Sequence, residues 1–210
     1  MKNLKITGQV YNYEEFFNWT SDLVAKEQSS GINPLFDLIK YTALNFKRME
    51  RLNKTIHLNE KLMASVQEIS NPQIWYVITE NWCGDSAQNL PLFGKIAEHS
   101  NGKIDLRIIL RDLNPEWIET YHTNGSKSIP KLVAFDYNEN ELFTWGPRPD
   151  EAQEILMAWK NNPNGKSWDE FELELHTWYS KNKTKSTQNE IYEKLQTVES
   201  IRINNLLIAG

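Results

Sequence analysis

Residues 73–99 constrain this chain more than any other stretch. Gln73-Ile74-Trp75-Tyr76-Val77-Ile78-Thr79 is a β-rich run without polar alternation, which is how a strand covered on both faces reads. Within a few residues the pattern turns helical. Asp85 to about His99 carries Leu90, Phe93, Ile96 and Ala97 on one side. Pro91 inside it is expected to kink the helix, and Asn101-Gly102 to stop it. The junction is Glu80-Asn81-Trp82-Cys83-Gly84-Asp85-Ser86, and Cys83 is the only cysteine in the 210 residues. A strand feeding directly into a helix predicts a layered α/β arrangement. It also puts the cysteine at a helix N-terminus, where free N–H groups and the helix dipole favour thiolate.

Around this unit the chain reads as follows. Three helices precede the strand. The first spans 12–28, with Tyr13, Phe16, Phe17, Thr20, Leu23 and Val24 inward. The second has Asn33 as N-cap and Pro34 at its first position, with a stripe of Leu35, Leu38, Ile39, Thr42 and Phe46. The third covers 59–69 with Leu62, Val66 and Ile69. Lys47, Arg48, Arg51 and Lys54 fall between helices two and three, as a solvated helix end or an anion site. Past the junction, 103–110 alternates as a strand, Asn114-Pro115 opens a short helix to His122, and Asn124-Gly125-Ser126 is a loop. Segments 130–136 and 141–145 form an antiparallel hairpin. A helix starts at Pro149-Asp150 and carries Ile155, Leu156 and Trp159. In the tail, Ser167 with Glu170 and Thr187 with Glu190 suit capping boxes, joined through Lys181–Lys185. The apolar end Leu206-Leu207-Ile208 is expected to dock on the body or to meet a partner. The expected organisation is a helical extension (1–70), a core (71–162) and a C-terminal helical extension (163–210) in one compact domain.

The order β-α-β-α-β-β-α over 73–160, with Trp82-Cys83-Gly84 at the first β→α junction and Ser128-Ile129-Pro130 ending 47 positions past Cys83, resembles the thioredoxin superfamily. It is similar to the branch of bacterial thioredoxin-like proteins with Trp-Cys-Gly-Asp and a long helical N-terminal extension. The resemblance implies an α/β, thioredoxin-like fold: a central mixed sheet flanked by helices. It implies a cis bond at Pro130 that lays the Ile129 backbone beside the sulfur, ready to pair with an extended peptide. It assigns catalytic roles to Cys83 and Ser86, and substrate binding to Trp82, Gly84, Asp85, Ile129 and Pro130.

The departures are as telling. Ser86 stands where the second cysteine of Cys-x-x-Cys would be. A hydroxyl there cannot resolve a mixed disulfide, though it can donate a hydrogen bond to a thiolate. Thioredoxins bury an acid six positions before the nucleophile; here that residue is Val77, and the nearest upstream acid, Glu80, is expected to be exposed. Gly84 is expected to allow a tight turn and keep the sulfur accessible. Asp85 replaces the usual proline; its carboxylate suits a helix N-terminus but raises the pKa of a neighbouring thiol. Arg148, in the stiff turn Trp145-Gly146-Pro147-Arg148-Pro149, is either helix-entry punctuation or a carboxylate holder.

These readings imply a monothiol oxidoreductase acting on a protein disulfide or a low-molecular-weight thiol, with an external thiol resolving the mixed disulfide. The alternative is a redox-inactive module binding a peptide or protein along the cis-proline edge. A net charge of -5 gives no basic footprint for nucleic acid. His57, His99, His122 and His176 have no ligand spacing, so no metal is expected. Nor is a cofactor, since monothiol glutaredoxins that hold an iron–sulfur cluster use a basic residue where this chain has Glu80-Asn81. The absence of an apolar leader in Met1–Gly8, of a membrane-length apolar run and of a second cysteine points to the cytoplasm. The oligomeric state is open.

Overall fold

The structure, a computed structural model, describes residues 4–31 and 36–209, the side chains of Leu206 and Ala209 excepted. Asn33, Pro34 and Leu35, expected to open the second helix, lie outside the described residues. The element order is α1 (Tyr13–Ala25), α2 (Phe36–Thr55), α3 (Glu60–Gln67), β1 (Gln73–Thr79), α4 (Gly84–His99), β2 (Ile104–Leu110), α5 (Pro115–Thr120), β3 (Lys131–Asp136), β4 (Glu141–Trp145), α6 (Asp150–Asn161), α7 (Trp168–Asn182) and α8 (Lys185–Ala209). The strands form one mixed sheet in the order β2-β1-β3-β4, with β1 parallel to β2 and antiparallel to β3, and β3 antiparallel to β4. This is a thioredoxin-like α/β fold.

The unbroken apolar run of β1 follows from burial on both faces. Trp75 and Val77 point into a large cluster with Phe16, Met49, Leu62, Val66, Leu90 and Phe93, built by helices α1 to α4 and closed by Ile191 and Leu195 of α8. Tyr76 and Ile78 point the other way, against Ile109, Trp117, Ile118, Val133 and Phe135. Alternate residues of one strand therefore serve two cores. At the top of β1 the chain leaves this sandwich, and α4 begins there.

Several local expectations change. Helix α1 ends at Ala25 rather than near 28, and α2 runs on to Thr55. Lys47, Arg48, Arg51 and Lys54 therefore lie within α2, where Met49 and Leu52 anchor its inner face. Thr187 and Glu190 do not cap a helix; both sit inside α8. Thr187 instead donates to Asn89 Oδ1 (2.9 Å), and Glu190 accepts from Trp145 Nε1 (2.6 Å) and from the Asp150 backbone N–H (2.8 Å). The link between α7 and α8 shrinks to Lys183 and Thr184, both left-handed. Leu207 and Ile208 do not dock: they are exposed. Ser167 and Glu170 do form a capping box. No helix among the described residues is long and apolar enough to cross a membrane.

Gly146 ties the two halves of the hairpin to the site. Its φ is +103°, and a Cβ there would collide with the backbone carbonyl oxygen of Pro130. Both the left-handed backbone and the close approach demand glycine. Gly146→Ala is expected to lower stability by about 1–3 kcal/mol, read from urea unfolding followed by tryptophan fluorescence. A loss below about 0.5 kcal/mol, the range of indifferent surface changes, would contradict this account of the packing.

Candidate functional site around Cys83

Cys83 is the N-cap residue of α4, with extended backbone (φ −77°, ψ 118°) and no side-chain cap bond. Its N–H donates to Glu80 O (3.2 Å), which closes the turn out of β1, and its carbonyl accepts from Ala87 N (3.1 Å). The Ile129–Pro130 bond is cis, and the Cys83 thiol donates to the Ile129 carbonyl at 3.2 Å. Ser86 is buried one turn on; its oxygen accepts from Thr79 Oγ1 at 2.6 Å. Trp82 is half-buried, with the Arg111 guanidinium 4.8 Å over its ring. The structure thus gathers Trp82, Cys83, Gly84, Asp85, Ser86 and Ile129 at one end of β1, with Pro130 leading into β3.

Three residues of this group behave differently from the expectations. Cys83 is buried, only 8% exposed, rather than presented openly to solvent. Gly84 needs no special turn; its role is packing, because a Cβ there would lie 3.0 Å from His176 Nε2 and 3.4 Å from an Arg48 nitrogen. The Asp85 carboxylate is not free for substrate. One oxygen accepts from Tyr179 Oη at 2.7 Å, and the other pairs with Arg148, whose Nε is 3.1 Å away. Arg148 reaches on to Gln153 Oε1 (3.0 Å). Both readings of its turn hold: Pro149 is the N-cap of α6, and Arg148 holds a carboxylate, that of Asp85.

Glu80 is also corrected. It is fully buried, its Oε1 accepting from the Asp112 N–H at 2.9 Å, and burial raises its pKa. The turn folds it under the β2–α5 connection. Val77 lies in the large apolar cluster.

A pocket of about 400 Å³ opens beside the sulfur. Trp82, Cys83, Gly84 and Arg111 form its floor, the loop Ser126–Ile129 one side, and α7 with Leu38 and Tyr41 of α2 the other. The sequence does not mark Trp168, Phe171, Glu172 and Leu175 of α7 as site residues, and His176 enters it only as a histidine without ligand spacing. The spacing of Phe171, Leu175 and Tyr179 by four marks an inward face, yet it does not say which element the helix covers. Among the described residues, no group of three or more His, Cys, Asp and Glu could hold a metal ion.

The electrostatics follow from this enclosure. Burial pushes the Cys83 thiol up to about 11, with the Asp85 charge adding to it; the Ser86 hydroxyl, the Ser86 N–H and Arg148 pull the other way and lose. A thiol that donates to a carbonyl is further held in its neutral form. Burial, with Arg48 beside it, pulls His176 down to about 4, so its ring is neutral at pH 7. Gln88 Nε2 lies 3.1 Å from His176 Nδ1.

A family model, Thioredoxin_9, described as "Thioredoxin", matches residues 36–160, more than half of the chain. The chain belongs to the thioredoxin family. No curated protein matches it. Among solved structures it is similar to a protein of unknown function from Pseudomonas aeruginosa, with TM-score 0.55, 16% identity, 89% of this chain and 98% of that one covered. It is also similar to an HIV epitope-scaffold, with TM-score 0.52, 18% identity, and 89% and 99% coverage. At these identities the likeness concerns the fold. Within that family frame, this thioredoxin-family chain has the strand–cysteine–helix junction but a serine at the resolving position.

The pH dependence of Cys83 alkylation is expected to show its midpoint above about 9, against about 8.5 for a free thiol. Asp85→Asn removes a negative charge near the sulfur and lowers the midpoint; Ser86→Ala removes a donor to the thiolate and raises it. A wild-type midpoint at or below the free value would refute the electrostatic account.

Proposed function

We propose that this thioredoxin-family protein is a binding module. Its pocket, between the Ser126–Ile129 loop and α7, would receive a short extended segment of a peptide or protein partner while Cys83 stays protonated. The observation that carries this reading is the state of the sulfur, buried, donating to Ile129 O and pushed up to about 11.

Magnitudes favour this reading over exchange chemistry. At pH 7 a thiol of pKa about 11 is about 10⁻⁴ thiolate, against about 3% for a free thiol of pKa about 8.5. The loss is about 300-fold. Higher basicity returns about 10- to 20-fold in nucleophilicity at a Brønsted slope of about 0.4–0.5. Cys83 would therefore react more than about tenfold slower than a free thiol, which leaves little for an enzyme to contribute. Ser86 cannot resolve a mixed disulfide.

A second reading, monothiol exchange with a low-molecular-weight or protein disulfide, is favoured by one observation, the sulfur's position against the loop that ends in Pro130. The two part in experiment. Peptides selected from a random displayed library on the wild-type protein should bind Cys83→Ser equally well and lose at least about tenfold in affinity with Trp82→Ala, a central aromatic of the kind that dominates binding surfaces. Mixed-disulfide formation with oxidised glutathione at pH 7 should run slower than with free cysteine. Peptide capture that disappears in Cys83→Ser, or exchange faster than free cysteine, would favour the oxidoreductase.

One variant tests the shared geometry. In Ser86→Cys the two sulfurs occupy Cys-x-x-Cys spacing on the first turn of α4, so oxidation should give an intramolecular disulfide, seen by mass spectrometry as loss of two hydrogens. Only intermolecular dimers would mean that the first turn does not hold the two positions together.

A further inference from the structure

Helix α7 divides its contacts in an uneven way. Its apolar residues Phe171, Leu175 and Tyr179 join Ala152 and Leu156 of α6 in a small cluster of their own, apart from the two clusters that sandwich the sheet. Trp159 of α6 stacks on Phe171 at 4.8 Å. Its hydrogen bonds to the rest of the protein across the pocket are polar side-chain contacts. Tyr41 Oη donates to Glu172 (3.2 Å), Gln88 meets His176 (3.1 Å), and Tyr179 Oη donates to Asp85 (2.7 Å). The first two are part-buried and exchange with water at small net cost, whereas the third, buried and made to a charged group, costs more to break. Polar contacts mark interfaces that open more readily than apolar ones.

We infer that α7 is a displaceable cap on the Cys83 pocket, latched by the Tyr179 hydroxyl on the Asp85 carboxylate, and that the arrangement seen is its closed state. The two ends of α7 suit such motion. The turn Pro163–Lys166, with Asn164 and Gly165 left-handed, precedes it, and left-handed Lys183 and Thr184 follow it. Hinges are element-terminal positions of this sort. The close approach of His176 suits a glycine at position 84, since a Cβ there would press on the ring at 3.0 Å and push it back by a few tenths of an ångström. With α7 in place, the cavity of about 400 Å³ is at the small end for ligand sites. A volume of that size admits a small molecule or a side chain rather than a run of polypeptide, and Phe171 and Leu175 of α7 are part of its wall. Asp85, which stands where the family has proline, thereby acquires a role: it is the positioning residue that holds the cap. The consequence for partner entry rests on the reading of this pocket as the partner site; the cap itself does not.

The test compares two reagents on Cys83 of the full chain at one pH, iodoacetamide and the much bulkier fluorescein maleimide. Their rate ratio cancels the thiolate fraction and reports access. In the native protein the bulky-to-small ratio is expected to be at least about tenfold below that of the urea-unfolded chain. Tyr179→Phe removes the latch and should raise the native ratio about threefold or more, in line with the loss of one hydrogen bond to a charged group. Leu175→Ala loosens the cap from the α6 side and should act in the same direction. Leu173→Ala, on the exposed face of α7, should leave the ratio unchanged. Thermal melts run alongside, and if Tyr179→Phe does not fold, Leu175→Ala decides. A native ratio equal to the unfolded one, or no change in the folded variants, overturns the cap. Failure of peptide selection with an intact ratio effect would instead overturn the binding-module reading alone.

Discussion

The Asp85 carboxylate is where three distant stretches of chain meet: the first turn of α4, the Gly146–Pro149 turn through Arg148, and α7 through Tyr179. Asp85 and Arg148 are both nearly enclosed, with side-chain exposures of 9% and 12%. An ion pair in that setting recovers the cost of desolvating two charges only when geometry and extra hydrogen bonds are good. Here Arg148 donates twice to one oxygen, Tyr179 donates to the other, and Gln153 Oε1 accepts from a further guanidinium N–H. Such a pair adds little net stability. Removing one partner is different, since it strands the other charge at about 3–5 kcal/mol. The clamp is thus a device for specificity of arrangement, setting where the α6–α7 hairpin lies relative to the cysteine.

The same clamp explains why a cysteine at a helix N-terminus is not a thiolate here. The helix end is worth about 0.3–1 kcal/mol to an anion, less than one pKa unit. Enclosure in protein shifts buried groups by up to about 3–5 units. Once α7 and the Ser126–Ile129 loop close over the sulfur, desolvation outweighs the dipole. Asp85 adds repulsion that Arg148 only partly offsets. The features that lower the thiol's pKa are present in the first turn, and the tertiary setting overrides them.

What could be read from the sequence divides along the same line. All four strands lie within a residue of their expected bounds, and β1 coincides with Gln73–Thr79, because a run buried on both faces leaves a composition signal that needs no knowledge of its partners. The sandwich architecture followed from that run and the order of elements after it. Contacts spanning long sequence separations left no such trace. Tyr179 and Asp85 are 94 positions apart, and periodicity tells which face of α7 is apolar without telling what lies beneath it. Glu80 was misplaced for the same reason, since its burial depends on the connection after β2 folding over it. The end of α8 shows the opposite case: an apolar tail reads as a segment that docks on the body or meets a partner, and Leu207 and Ile208, which face solvent, do not dock.

One element of the clamp was nevertheless within reach of electrostatic reasoning. A carboxylate two residues past a cysteine, in the first turn of a helix bound for the core, cannot stay buried and unpaired. It must find a cation or keep its water. Lysines and arginines on amphipathic helix faces are poor candidates, because their stems lead the charge outward. Arg148 differs: it sits between Pro147 and Pro149, in a turn whose φ angles are restricted at both neighbours, so the backbone that carries it has few conformations to lose. Two nitrogens of the guanidinium fork then converge on one carboxylate oxygen, with less entropy lost per hydrogen bond than an ammonium would lose. Pairing of Asp85 with Arg148 is the arrangement in which both residues are satisfied, and once it forms, the second carboxylate oxygen needs a donor of its own. Tyr179 supplies that donor, and with it the helix that encloses the thiol.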